Sequence, residues 1–253
     1  MNKNSNTLTQ KELDEFLEQT PEFIEETKRS LEYSIHGAED ENIKKSLKAI
    51  NNGLIHCNEL CIAILSFLQK CKSGVVGNSS TEISNKLTLI VAYFQGIHHT
   101  EDHILRGQYI GASALMKKDF EIMTRLREIG EGKAKEGRNP NAKYAPQKIR
   151  FVYGQLNDIA HISKSHVLDY YLVIENKQNQ AGATSTPQFK KEECISFYSY
   201  HITISQVVIS EAIGLHGKMY GIDEDYKKAM AYFKILNSVI EDVSKEIIGD
   251  KED

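Results

Sequence analysis

Two stretches of the 253-residue chain bring acid–base groups close enough together to act on a phosphate or a carbonyl. In Tyr153-Gly154-Gln155-Leu156-Asn157-Asp158-Ile159-Ala160-His161, Asp158 and His161 stand three residues apart and share one face of a helix. A carboxylate beside an imidazole fixes its tautomer and raises its basicity, which a general base or a phosphate-binding imidazolium needs. Gly154, on the same edge, lets a ligand or a second helix come close. In Leu115-Met116-Lys117-Lys118-Asp119-Phe120-Glu121, Lys117 and Glu121 form an i,i+4 pair on the polar side. Asp119 instead falls among Leu115, Ile122, Met123 and Leu126. A carboxylate in that apolar stripe must find a cation, a donor or an outlet to the surface, so Asp119 is a candidate binding residue.

A second cluster, His98, His99, Asp102 and His103, forms with Arg106 one polar stripe of a helix. Imidazoles at i and i+4 there have the spacing of shared metal ligands. The competing reading is a solvated or intersubunit polar face, since Arg106 opposes a concentrated cation. Cys57 and Cys61, beside His56, continue an apolar stripe and read as core rather than as a soft-metal site. Arg29 and His36 match the Arg-to-His spacing of some ribonucleases, a spacing that chance supplies about as often as not. The loop from Gly132 to Arg150 carries Lys133, Lys135, Arg138, Lys143, Lys148 and Arg150 against one acid, Glu136. It is a candidate phosphate-contacting strip with Tyr144 for stacking.

The elements that must position these groups are helices, because apolar residues recur at helical period and no run alternates as a half-buried strand does. The fold class is therefore all-α, a bundle of about seven to eight long antiparallel helices in a single domain spanning residues 1–253. Thr9 and Glu12 spell a capping box, and Pro21 and then Gly37 punctuate two N-terminal helices over residues 9–36 that should pack on the core. Ile43, Leu47, Ile50, Leu54, Cys57, Cys61, Ile64, Leu65 and Leu68 predict one long core helix. Helices follow over about 82–105, 108–130 and 146–163. Residues 175–191 are polar and low in complexity, which predicts mobility. Residues 192–219 and 223–248, joined by a short turn, predict an antiparallel hairpin over 192–248 packed on the same core.

The helix carrying Leu115, Lys117, Phe120 and Glu121, followed by Tyr153, Leu156, Asn157, Asp158 and His161, resembles bacterial all-helical families grouped with the HEPN-like proteins. The resemblance covers roughly residues 87–166, with Lys117 where the families have Arg and Asn157 where they have Ser. It implies a HEPN-like core and a relationship to ribonuclease toxins, antiphage effectors and nucleotide-binding modules. On that footing the expected ligand is RNA or a nucleotide, with Glu121, Asn157, Asp119, Lys133, Lys135, Arg138, Lys148 and Arg150 binding. If the chain cleaves RNA, His161 is the acid–base group, Lys117 the phosphate cation and Asp158 the group that orients the imidazole. No metal and no cofactor is needed. Two alternatives stand beside this: a non-catalytic protein-interaction module, and a metal-dependent hydrolase built on His98, His99, Asp102 and His103.

Composition narrows the field further. A formal charge of −4 gives no global attraction to nucleic acid or to an anionic membrane, so any such binding is local. P-loop, dinucleotide-binding, nucleophile-elbow and zincin motifs are missing from the sequence. Four dispersed cysteines fit a reducing compartment better than a disulfide framework, and the N-terminus lacks a signal core. The greasiest run, Leu60 to Leu68, is about half of what spans a bilayer. A cytoplasmic protein, homodimeric, without membrane contact and open to a protein partner, is the expectation.

Overall fold

In the computed structural model, residues 8–72, 74–75, 77–161, 165–175 and 181–249 are described. They form an all-α bundle: α1 (Gln10–Ala49), α2 (Asn52–Cys71), α3 (Thr81–Leu105), α4 (Tyr109–Gly130), α5 (Arg150–Ala160), α6 (Ser165–Leu172), α7 (Lys191–Tyr220) and α8 (Glu224–Gly249). Two 3₁₀ turns, Ala142–Tyr144 and Gln147–Ile149, lie between α4 and α5.

The expected boundaries shift at the N-terminal end. The Thr9–Glu12 capping box is present, but α1 runs on through Pro21 and Gly37. Pro21 removes one interior hydrogen bond. The helix tolerates this because Leu17 and the residues on either side of it are exposed, so the Leu17 carbonyl left without a helical donor is open to solvent. None of residues 10–37 is buried, so this segment does not pack on the core as expected. The anticipated single helix across Ile43–Leu68 is split instead. Ile50 turns extended, and Asn51 caps α2 by accepting from the Gly53 N–H at 2.6 Å. Gly53 also admits Val243 of α8, which a Cβ there would strike.

The last turns of α1 hold the α3–α4 turn through polar groups. Asn42 Nδ2 donates to the carbonyls of Arg106 and Pro187, both at 3.0 Å, and Ser46 Oγ donates to Leu105 O at 2.9 Å. Gly107 takes a positive φ of 75° there, and a Cβ on it would press on the Gln188 carbonyl. α7 is the central helix, with Phe197, Tyr198, Ile202, Ile204, Val208 and Ile209 buried among α2, α3 and α4. α8 lies along α2 and α7, completing the C-terminal hairpin.

α2 has the length and mean hydropathy, 1.2, of a membrane-crossing helix, which exceeds the expectation from Leu60–Leu68. Its Cys57, Cys61, Ile64 and Leu65 are spent on the core with α7 and α8. Residues 175–191 are not uniformly irregular either. Val173–Glu175 (β1) pairs antiparallel with Ala181–Ala183 (β2), Val173 facing Ala183, while residues 176–180 lie outside the described set. Thr184 Oγ1 accepts from the Thr186 N–H at 3.1 Å, and the Tyr109 hydroxyl sits 3.1 Å from both the N–H and the carbonyl of Lys190. Those bonds fix the approach to α7.

Candidate functional site

α4 carries a row of charged side chains along one face, because Lys117, Glu121 and Arg125 recur every fourth residue while Met116, Phe120, Met123 and Leu126 turn into the core. α5 and its C-cap lie against the first half of that row. Lys117 Nζ lies 3.3 Å from His161 Nε2, so two groups 44 residues apart in sequence become neighbours. An ammonium only donates, which makes the imidazole the acceptor and places its remaining proton on Nδ1. His161 closes α5, its N–H donating to the Asn157 carbonyl at 3.0 Å. Glu121 Oε1 accepts from the Tyr153 hydroxyl at 3.0 Å, and the Tyr153 ring packs on Phe120. Burial, with the Glu121 hydrogen bond and charge behind it, raises the Tyr153 phenol above its ordinary value.

The second half of the row frames the basic loop. α4 ends in a Schellman motif: Gly132, at φ 65°, donates to Ile129 O and Lys133 N–H donates to Glu128 O. Arg125 then holds the loop by its backbone, donating to the carbonyls of Lys135, at 3.2 Å, and Arg138. Its guanidinium also pairs with buried Glu128 at 2.8 Å, and Glu128 accepts from the Asn141 N–H at 2.7 Å. The result is a cavity of about 440 Å³ lined by Arg125, Lys133, Lys135, Arg138, Lys143 and Tyr144 with one carboxylate, Glu128. Five cations facing a single, already paired acid make it a concentrated positive site. Lys143 lies over the Tyr144 ring at 4.8 Å, which sets an aromatic ring beside that cation in the lining of the cavity.

Other expected residues fall elsewhere. Lys148 and Arg150 do not line the cavity; Arg150 Nε donates to Ala145 O at 2.8 Å, closing the turn into α5. Asp158 lines a separate cavity between α5, α6 and α7, with Tyr170, Tyr171 and Glu193, while His161 Nε2 lies against Lys117. Asp119 is 3% exposed on the opposite side of α4 from Lys117 and accepts from Thr100 Oγ1 at 2.8 Å. Burial raises its pKa to about 6, against the opposing pull of Thr100 and Lys118. It belongs to the α3–α4 core contact.

The histidine cluster does not assemble as a metal site. Arg106 donates through Nε to both oxygens of Asp102, at 2.8 and 2.7 Å, and through Nη1 to Glu39 at 3.1 Å, while His103 Nδ1 bonds the His99 carbonyl at 2.9 Å. Among the described residues no three His, Cys, Asp or Glu side chains are grouped to hold a metal ion. Arg29 and His36 pair with Glu25 and Glu39 on exposed α1. Cys57 and Cys61 are fully buried, and burial pushes the Cys57 thiol up to about 11.

The sequence reading missed Arg125 and Glu128, the pair that frames the cavity, although the i+8 interval from Lys117 to Arg125 marks one helix face. It also missed His201, fully buried on α7 with neither ring nitrogen bonded among the described residues. Comparison with family models, curated proteins and solved structures found no match to this chain.

Proposed function

We propose that this protein binds RNA or a nucleotide in the cytoplasm, through the cationic cavity at the end of α4, with the Lys117–His161 pair beside the phosphate chain that leaves it. The observation that carries this reading is the convergence of Arg125, Lys133, Lys135, Arg138 and Lys143 on one cavity with a single neutralised acid. Phosphate is the anion such a site suits: several separated cations and an aromatic ring match a chain of charges and a base better than one carboxylate. The HEPN-like resemblance in the same stretch of chain supports the class, and free Cys57, Cys61, Cys71 and Cys194 fit a reducing compartment.

If the protein cleaves RNA, as a ribonuclease toxin or defence effector does, Lys117 turns from His161 Nε2 to the phosphoryl oxygens and stabilises their charge, which frees Nε2 to take the 2′-hydroxyl proton. The 2′-oxygen then attacks phosphorus, the bond to the 5′-oxygen breaks, and the departing 5′-oxygen takes a proton from water or from the imidazolium of His161. The test is fluorescence anisotropy with single-stranded RNA on the full chain and on a Lys133→Ala, Lys135→Ala, Arg138→Ala variant. The variant should bind at least about tenfold more weakly with an unchanged melting temperature, because these side chains are exposed loop groups. Equal affinities for both proteins contradict the proposal.

A further inference from the structure

The N-terminal part of α1 has an unpartnered apolar face. Leu13, Phe16, Leu17, Phe23, Ile24 and Leu31 are between 41% and 67% exposed, and residues 10–37 bury no side chain. Their spacing is that of a helix–helix seam: Leu13, Leu17, Thr20, Ile24, Thr27 and Leu31 alternate four and three residues apart, with Phe16 and Phe23 seven apart alongside. The reverse face holds Glu15, Glu18, Glu22, Glu25 and Glu26, so the segment is amphipathic and acidic. A membrane-surface helix carries Lys and Arg on that face, which makes an anionic bilayer a poor occupant.

We infer that α1 is a self-association helix, pairing antiparallel with α1 of a second copy across this seam. Charge order selects the direction. Eight carboxylates lie between Glu12 and Glu32, seven of them before Lys28 and Arg29. Parallel pairing leaves Lys28, on the flank of the seam, level with the other copy's Lys28, whereas antiparallel pairing about residue 22 brings it beside the other copy's Asp14, once at each end of the seam. In that register Leu31 meets the partner's Leu13, Ile24 meets the partner's Thr20, and Leu17 meets the partner's Thr27. The existing Lys28–Glu32 and Arg29–Glu25 pairs are exposed i,i+4 contacts and exchange readily. The six large side chains present on the order of 700 Å² of apolar surface per copy, so two copies bury about 1,400 Å², within the range of specific, stable interfaces.

Sedimentation velocity on the full chain tests this, alongside an Ile24→Asp, Leu31→Asp variant. The expected result is a monomer–dimer equilibrium that weakens at least roughly hundredfold in the variant, with the melting temperature unchanged because neither side chain touches the core. Direction is read by disulfide trapping in a Cys71→Ser background. Phe23→Cys, near the crossing point, should cross-link to itself, and Leu13→Cys should cross-link to Leu31→Cys but not to itself. A monomer at roughly 100 micromolar, a dimer that survives the variant, or a Leu13→Cys self-cross-link overturns the inference, and so does binding of α1 to anionic vesicles by a monomeric chain.

Discussion

Asp119 and His201 are two buried titratable groups whose effects on stability have opposite signs. Burial lowers the His201 pKa from 6.5 to about 4, with the charge of His98 adding to the effect, so the unfolded chain binds the extra proton between those values. Stability from this group is lost as pH falls from 6.5 toward 4. Asp119 is raised from 3.8 to about 6, so the folded chain holds the extra proton and stability is lost as pH rises through that interval. Each shift corresponds to about 3 kcal/mol at full effect. The two offset one another, and the natural chain should show a nearly flat profile of urea midpoint between pH 4 and 6.5. His201→Leu should expose a midpoint that falls with rising pH across that window, and Asp119→Asn one that rises. A natural profile that already slopes steeply, unaltered by either substitution, contradicts the assignment. Asp119 also shows what one residue discloses in sequence. The stripe of α4 set it among apolar residues but left burial and an outlet to the surface both open, because its donor, Thr100, sits on another helix with no local signal.

At the scale of elements, the clearest signals were those written within a few residues. The Thr9–Glu12 capping box, the length of α3 and α4, and the α7–α8 hairpin all follow from local pattern. The break at Ile50–Asn51 was hidden because apolar spacing continues through it, from Ile43 to Leu54. The inward face of α1 there is polar: Glu39, Asn42 and Ser46 are buried, and Leu47 is 46% exposed. No rule that sorts apolar from polar finds a face whose work is to cap the carbonyls of another turn. Asn51→Ala should therefore cost about 1 kcal/mol in global stability, through loss of the α2 cap, in chemical denaturation. Pro21→Ala should behave differently. Restoring the interior hydrogen bond favours the local helix by up to about 3 kcal/mol, so hydrogen exchange in residues 10–37 should slow. The thermal midpoint of the body should not move, because that segment buries no side chain; a rise of several degrees would show that it is coupled to the core.

For the whole molecule, a net charge of −4 hides a strongly divided surface, acidic along α1 and basic at the end of α4. The basic loop was legible as a run of Lys and Arg. That it closes into a cavity depends on Arg125 and Glu128, which come from the preceding helix and reach the loop by its backbone carbonyls and N–H groups. The adjacency of Lys117 and His161 likewise depends on α5 folding back over α4, a contact between elements that spacing alone does not fix. If the cavity binds phosphates, salt must compete with them. A single-stranded RNA occupying about four of the cations gives a slope of log affinity against log salt near −3. Measuring that slope by anisotropy is the most direct test of the central claim. The expected slope is roughly of this size, reduced by about 0.7 for each of Lys135→Ala and Arg138→Ala. Binding that ignores salt, or a slope that neither substitution changes, would contradict it.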